Sequence, residues 1–229
     1  TPVTMSFRLD FTADQDECVV VHVSADQQYL LWLDGEFVGR GCEMKSPENW
    51  YFESYELSLV KGQHRLEAFV WNYGDLSPDN RMSLAPGFIL IPDAAHLAMF
   101  ATGVAGWKVK RCPGISFSPV PKHVLGVYIT VPPYESRDCR DYFKNDAPTD
   151  WMDPVMLSCG IDGFLRKDAS VHCLVPSAIE RLHCGEVAPG RAVYIAETAD
   201  PDGYMAAENT CREDVYGPIT IDTGELTIG

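Results

Sequence analysis

Residues 29–41, YLLWLDGEFVGRG, decide the fold. Two apolar runs, YLLWL (29–33) and EFVG (36–39), meet at Asp34-Gly35. A two-residue type I′ turn needs positive φ at both central positions. Asp-Gly meets that need, so the stretch reads as a β-hairpin. Arg40 stands between Gly39 and Gly41, and the same stretch therefore poses a question of scaffold against binding surface.

Strands continue on both sides of the hairpin. SFRLDF (6–11) alternates, and CVVVHVSA (18–25) is β-branched and largely apolar, as a strand buried on both faces would be. WYFESYELS (50–58) is aromatic and extended, and HRLEAFVWNY (64–73) follows a turn at Lys61-Gly62. GFILIP (87–92) and WKVKRC (107–112) complete the first half. Strands recurring every ten to fifteen residues with turn residues between them have the spacing of a sandwich. Helical periodicity is nearly absent. PDAAHLAMFATG (92–103) reads as one short helix, and SAIERLHCG (177–185) as a second or as strand.

Beyond Cys112 the texture changes to stretches rich in Pro, Asp and aromatic residues. Each proline removes a ladder donor, so this part reads as long ordered loops that hold no regular sheet. Tyr134, Tyr142, Phe143 and Trp151 pin them, and GVYITV (126–131) is a short strand among them. VHCLVP (171–176), RAVYIAE (191–197) and a pair around Thr223-Gly224 read as further strands. The expected fold is an all-β, antiparallel, jelly-roll-like sandwich with long ordered loops and at most two short helices. The expected division is 1–185 for the sandwich, with 112–170 as its loop-rich extension, and 186–229 for a β segment leading into a following domain. A chain that opens at Thr1 and runs to its last residue inside a strand pattern reads as a trimmed section of a longer one.

The formal charge of −15 argues against nucleic acid, because phosphate neutralisation needs clustered Lys and Arg. No apolar run reaches the roughly 18 residues that would read as a membrane span. The eight cysteines contain no C-x-x-C pair, which excludes a zinc ribbon or a thioredoxin-type motif. Cys18 and Cys173 open apolar runs, where a thiol is a small buried hydrophobe, and the cysteines are expected to be mostly free and buried. The compartment stays open.

No nucleophile elbow, phosphate loop or dinucleotide fingerprint is present, and the six histidines lack metal-protease spacing. His22 and His172 read as satisfied core histidines, and neighbouring His183 and Cys184 would point to opposite faces of a strand. With 33 acidic residues, no pair of carboxylates stands out as a hydrolytic couple. Aromatic residues do cluster, and a flat ring takes the C–H face of a sugar while Asp, Asn or Arg hold its hydroxyls. Trp32 and Tyr55, inside strands, are expected in the core. Trp50 and Tyr73, beside loops, are the candidate platform, with Arg40 and Asn72 as candidate polar partners. The loop GDLSPDN (74–80) offers Asp75, Asp79 and Asn80 as candidate calcium ligands, against an ordinary Asx-rich turn.

FRLDFTA, CVVVHVSADQQYLLWLDGEFVGRG, PENWYFESYELS, KGQHRLEAFVWNYG and PGFIL, in this order, resemble the N-terminal β-sandwich of bacterial α-L-rhamnosidases of glycoside hydrolase family 78. WKVKRCP (107–113), DCRDYF with DW (138–151) and LVPSAIERL (174–182) extend the resemblance over most of the chain. Asp34 stands where Asn is usual. The resemblance implies a sandwich that precedes further β domains and a catalytic (α/α)6 barrel, which would need well over about 130 helical residues. No catalytic residue can be carried over to this chain. It further implies a scaffold role towards that barrel in the same parent chain and binding of a rhamnose-containing glycan, with calcium in one related module. It tilts the compartment towards periplasmic or extracellular. A free-standing lectin-like module and a purely structural interaction domain are the rival readings.

Overall fold

The computed structural model describes residues 1–42, 46, 50–78, 81–83, 85–112, 115–120, 132–137, 151–157 and 174–179. The chain divides into two compact units, Thr1–Ile179 and Glu180–Gly229, and the described residues all belong to the first. The expected strands at 126–131, 191–197 and 219–229, most of the 177–185 segment, Tyr142, Phe143, His172 and five of the cysteines lie outside the described residues.

The strands are β1 (Val3–Ala13), β2 (Glu17–Ala25), β3 (Gln28–Leu33), β4 (Glu36–Gly41), β5 (Trp50–Leu59), β6 (Gly62–Asn72), β7 (Phe88–Pro92) and β8 (Lys108–Arg111). They are followed by β9 (Ile115–Ser118), β10 (Tyr134–Arg137) and β11 (Leu174–Pro176). One sheet runs β4-β3-β6-β1-β8 and a second runs β11-β5-β2-β7. Alternate side chains of both meet in one core: Leu9, Tyr29, Leu31 and Leu66 from the first, Val19, Val21, Tyr55 and Leu90 from the second. The fold is an all-β sandwich. The helix expected over 92–103 reduces to a single turn of 3-10 helix and α1 (Leu97–Phe100). Thr102 ends it, because its N–H and Oγ1 are both taken by the Leu90 backbone on β7.

Four expectations need correction. β2 is buried on one face only: Val19, Val21 and Val23 are sealed in the core, while Val20 is 41% exposed and Cys18 is exposed. His22 is on that outer face too, and its Nδ1 lies 2.8 Å from Ser54 Oγ. Trp32 is half-buried on the outer face of its sheet, because Tyr29 and Leu31 take the inward positions of β3. The proline-rich part does hold a small sheet, β9 paired antiparallel with β10. Pro119, Pro132 and Pro133 lie just outside the paired residues, so every ladder position keeps its donor.

The hairpin turn has the dihedrals its sequence predicts, with φ 53° at Asp34 and 86° at Gly35. Asp34 also ties the hairpin to β6. Its Oδ1 accepts the Arg65 backbone N–H at 2.7 Å, and its Oδ2 lies 2.6 Å from His64 Nδ1. His64 Nε2 is 2.6 Å from the Val60 carbonyl. Both ring nitrogens therefore face groups that can only accept, which calls for the doubly protonated imidazolium. Val60's carbonyl first, then Asp34, hold the His64 pKa above its ordinary 6.5, and burial works against them. At the other end of β4, a Cβ on Gly41 would sit 2.6 Å from Tyr29 Cε1, and one on Gly39 would sit 2.6 Å from Tyr55 Cζ. These glycines answer a need for space between backbone and ring.

Two outcomes follow for stability. Gly41→Ala should force the Tyr29 ring off its site and cost about 1–3 kcal/mol, read as a lower urea midpoint at unchanged slope. A group whose pKa is raised by folding stabilises fully below its unfolded value, and that stabilisation is lost as pH climbs through the folded value. His64 behaves so, and His96 adds the same sign through Asp93 and Glu17. The urea midpoint should thus fall as pH rises above the ordinary histidine value of 6.5. It should fall less in Asp34→Asn, which still accepts from Arg65 but brings no charge to His64.

Candidate functional site

A cleft of about 960 Å³ opens in the sandwich unit, and Trp50, Asn72 and Asp26 line it together. Phe7, Phe88 and Trp107 make most of its wall apolar. Residues 152–157 border it. Met152 pairs with Val109 through two backbone hydrogen bonds of 2.9 Å, and Lys108 Nζ lies 2.5 Å from Asp153 Oδ1. An apolar cleft of this size with a few polar groups in its lining is the usual form of a small-molecule site.

The buried polar groups Asp26 and Asn72 of the lining are already bonded within the protein. Asp26, Gln27 and Asn72 are each at most 3% exposed. Asp26 Oδ2 accepts the Ala85 N–H at 2.8 Å, and Asn72 Nδ2 reaches Asp26 Oδ1 at 3.2 Å and Ser83 Oγ at 3.0 Å. Asn72 Oδ1 accepts the Gly74 N–H at 2.7 Å. Gln27 has φ 93°, a region few non-glycine residues adopt. Its amide compensates by accepting the Tyr73 N–H at 2.7 Å and donating to Ser77 Oγ at 2.5 Å. These three side chains anchor the loop that follows β6 to the β2–β3 corner.

The candidate site residues separate in space. Trp50 is 1% exposed and its indole N–H donates to the Ala25 carbonyl at 3.2 Å. Tyr73 is 7% exposed, with its ring edge-on to Phe117. Neither ring stands open to solvent as a platform would. Trp50 and Asn72 share the cleft, while Arg40 is exposed on β4. Asp75 Oδ1 lies 3.1 Å from the Thr1 amino nitrogen, whose hydrogen bond holds the carboxyl below the usual carboxylate range. Asp79 and Asn80 lie outside the described residues. Among the described residues no three metal-capable side chains converge, and no helix is long and apolar enough to cross a membrane.

Among the described residues, the shifted histidines and thiols serve the fold. His96 places Nδ1 2.6 Å from Asp93 and Nε2 3.2 Å from Glu17, and Asp93 first raises its pKa. An imidazole with both nitrogens committed has no free position for a substrate proton. Exposed Cys18 donates to Glu56 at 3.0 Å, and that carboxylate raises the thiol pKa, the reverse of nucleophile activation. Burial raises Cys112 likewise.

No protein family and no curated protein matches the chain by sequence. Solved structures do match by fold. A GH78 family rhamnosidase of Bacillus sp. GL1 aligns at a TM-score of 0.57 and 20% identity, over 78% of this chain and 18% of that one. An α-L-rhamnosidase from Dictyoglumus thermophilum aligns at a TM-score of 0.34 and 12% identity, over 48% of this chain and 14% of that one. One from Aspergillus terreus aligns at 0.36 and 14%, over 52% and 16%. The latter two overlays are too partial to bear on the fold. The first shows that this sandwich has the fold of one region of a rhamnosidase, and that the chain spans under a fifth of that enzyme's length.

Asn72→Ala should orphan the Gly74 N–H and loosen the Asp26 carboxylate, at about 1–3 kcal/mol for buried groups left unpaired. Hydrogen exchange should accelerate at the Gly74 and Ala85 amides while the β1–β6 ladder stays protected.

Proposed function

We propose that this chain is a non-catalytic β-sandwich region of an α-L-rhamnosidase-like glycoside hydrolase, serving as a scaffold for a catalytic (α/α)6 barrel and binding carbohydrate. One observation carries the reading: a two-sheet fold that overlays 18% of a GH78 rhamnosidase at a TM-score of 0.57. Among the described residues, His64 and His96 have both ring nitrogens committed and the Cys18 and Cys112 thiols are raised in pKa, which favours a structural role for these groups over a reactive one. Sugar binding is proposed from the outer face of the β3–β4 hairpin, where half-buried Trp32 meets the 43% exposed Phe37. Calcium at Asp75, Asp79 and Asn80 belongs to the same proposal as an auxiliary ligand.

The 229-residue chain should release no p-nitrophenol from an aryl α-L-rhamnoside above the buffer rate. Turnover that co-purifies with the chain through several columns would overturn the non-catalytic reading. Calorimetric titration with rhamnose, run with and without calcium, should give saturable heat, and a calcium-independent result would remove the metal from the proposal.

A further inference from the structure

The register of the five-stranded sheet sets one row of outward side chains. Phe37 on β4 lies opposite Trp32 on β3, Trp32 opposite Glu67 on β6, and Glu67 opposite Arg8 on β1. In the next row Arg40 lies opposite Leu30, and Leu30 opposite Phe69, which is 7% exposed, so the open part of the face is the β3–β4 side. Solvent faces of antiparallel sheets are ordinarily polar, so two large aromatic residues and a leucine here are unusual. They stay outward through a specific device. The register shifts between Leu31 and Trp32, which gives β4 one extra residue. Val38 turns in and packs on the core, and Phe37 is left outside beside Trp32. The rings meet edge-on at 6.0 Å, and Phe37 remains 43% exposed.

The flanking polar groups are uncommitted. Neither the Arg40 guanidinium nor the Glu67 carboxylate makes a hydrogen bond or ion pair among the described residues. Neighbouring charges are engaged: Arg8 and Arg65 both bond Asp10, and Lys108 bonds Asp153. The open apolar area is small. An aromatic side chain offers about 150–250 Å², so a partly covered Phe and Trp expose on the order of 200 Å². A stable protein partner needs roughly 800 Å² per side. From Phe37 to Glu67 the row spans two strand spacings, roughly 10 Å. That is the footprint of one or two pyranose rings. Arg40 is the cation beside these rings, and against a formal charge of −15 an uncharged sugar is favoured over an anionic one.

We propose that the outer face of the β3–β4 hairpin is a saccharide-stacking surface, on which Trp32 and Phe37 take the C–H face of a neutral pyranoside while Arg40 and Glu67 hold its hydroxyls. It rests on the carbohydrate-binding part of the function proposed above and gives that part a location different from Trp50, Tyr73 and Asn72.

The test is calorimetric titration of the full chain with methyl α-L-rhamnopyranoside, methyl β-D-glucopyranoside and a rhamnose-containing oligosaccharide. Saturable binding to at least one is expected. Phe37→Ala should weaken it about tenfold, and Arg40→Met comparably, with urea midpoints unchanged because both side chains are exposed. Phe37→Tyr should restore binding, which a merely structural residue would not require. Binding that survives both Phe37→Ala and Arg40→Met overturns this face and leaves carbohydrate binding by the chain standing. Absence of binding to all three sugars overturns both. Self-association by sedimentation that disappears in Phe37→Ala overturns the sugar in favour of a second copy of the chain.

Discussion

Two phenols meeting in the middle of the sandwich set the terms for the rest of it. Tyr29 comes from one sheet and Tyr55 from the other, and their hydroxyls lie 2.9 Å apart at 0% and 2% exposure. Tyr29 also reaches the Val23 carbonyl and Tyr55 the Arg40 carbonyl, so one phenol donates to the other and the second donates to its own carbonyl. Burial, ahead of the neighbouring phenol, pushes the Tyr29 pKa well above its ordinary value, so Tyr29 stays neutral. A buried hydroxyl pair is tolerable only when each member is satisfied. That condition fixes the distance between β4 and the rings and requires a backbone without Cβ at Gly39 and Gly41. The two glycines around Arg40 are thus a packing requirement whose cause lies in two tyrosines, 12 and 16 residues away by number from Gly41 and Gly39.

The hairpin was legible because its signal is local. Asp34-Gly35 carries a dihedral requirement in two residues, and the strands around it carry period-two alternation. The direction in which Trp32 faces was not legible. Parity along β3 is defined only relative to an anchor, and the anchors are Tyr29 and Leu31, whose inward position depends on the opposite sheet. Phe37 was hidden for a related reason. A bulge adds one residue to β4 and reverses parity beyond it, and nothing in EFVGRG marks where it falls. The burial of Trp50 depends on a bond to Ala25 and on β11 pairing in parallel with β5, both contacts between distant segments. The small β9–β10 sheet was missed by extending to whole stretches a proline effect that acts only at the proline itself.

Asn72 reads from the sequence as a ligand-holding amide, and in the structure its amide holds the chain. From sequence alone the two uses look the same, since a loop's backbone N–H and a sugar hydroxyl are both donors seeking an oxygen. Burial decides between them. A carboxylate at 2% exposure must be paired by the protein, because leaving it empty until a ligand arrives would cost several kcal/mol. Asp26 meets that demand with Asn72 and the Ala85 N–H. Arg40 and Glu67, nearer to water, escape the demand and can stay uncommitted. Resemblance to a family could not have drawn this line, because it transfers residue types and not their solvation.

The hairpin is therefore both scaffold and candidate surface, one on each face. Its inner face is clamped by the tyrosine pair, its turn is tied to β6 through Asp34, Arg65 and His64, and its bulge anchors Val38 in the core. Each constraint removes freedom from the strand that carries Phe37 and Arg40. A group already held in place loses less conformational entropy when a ligand docks, so a shallow platform gains affinity through the rigidity beneath it. Weak stacking of about 1 kcal/mol per ring would be cancelled on a mobile loop. On this strand it would be retained, so the clamp inside the sandwich is what the proposed stacking surface outside it depends on.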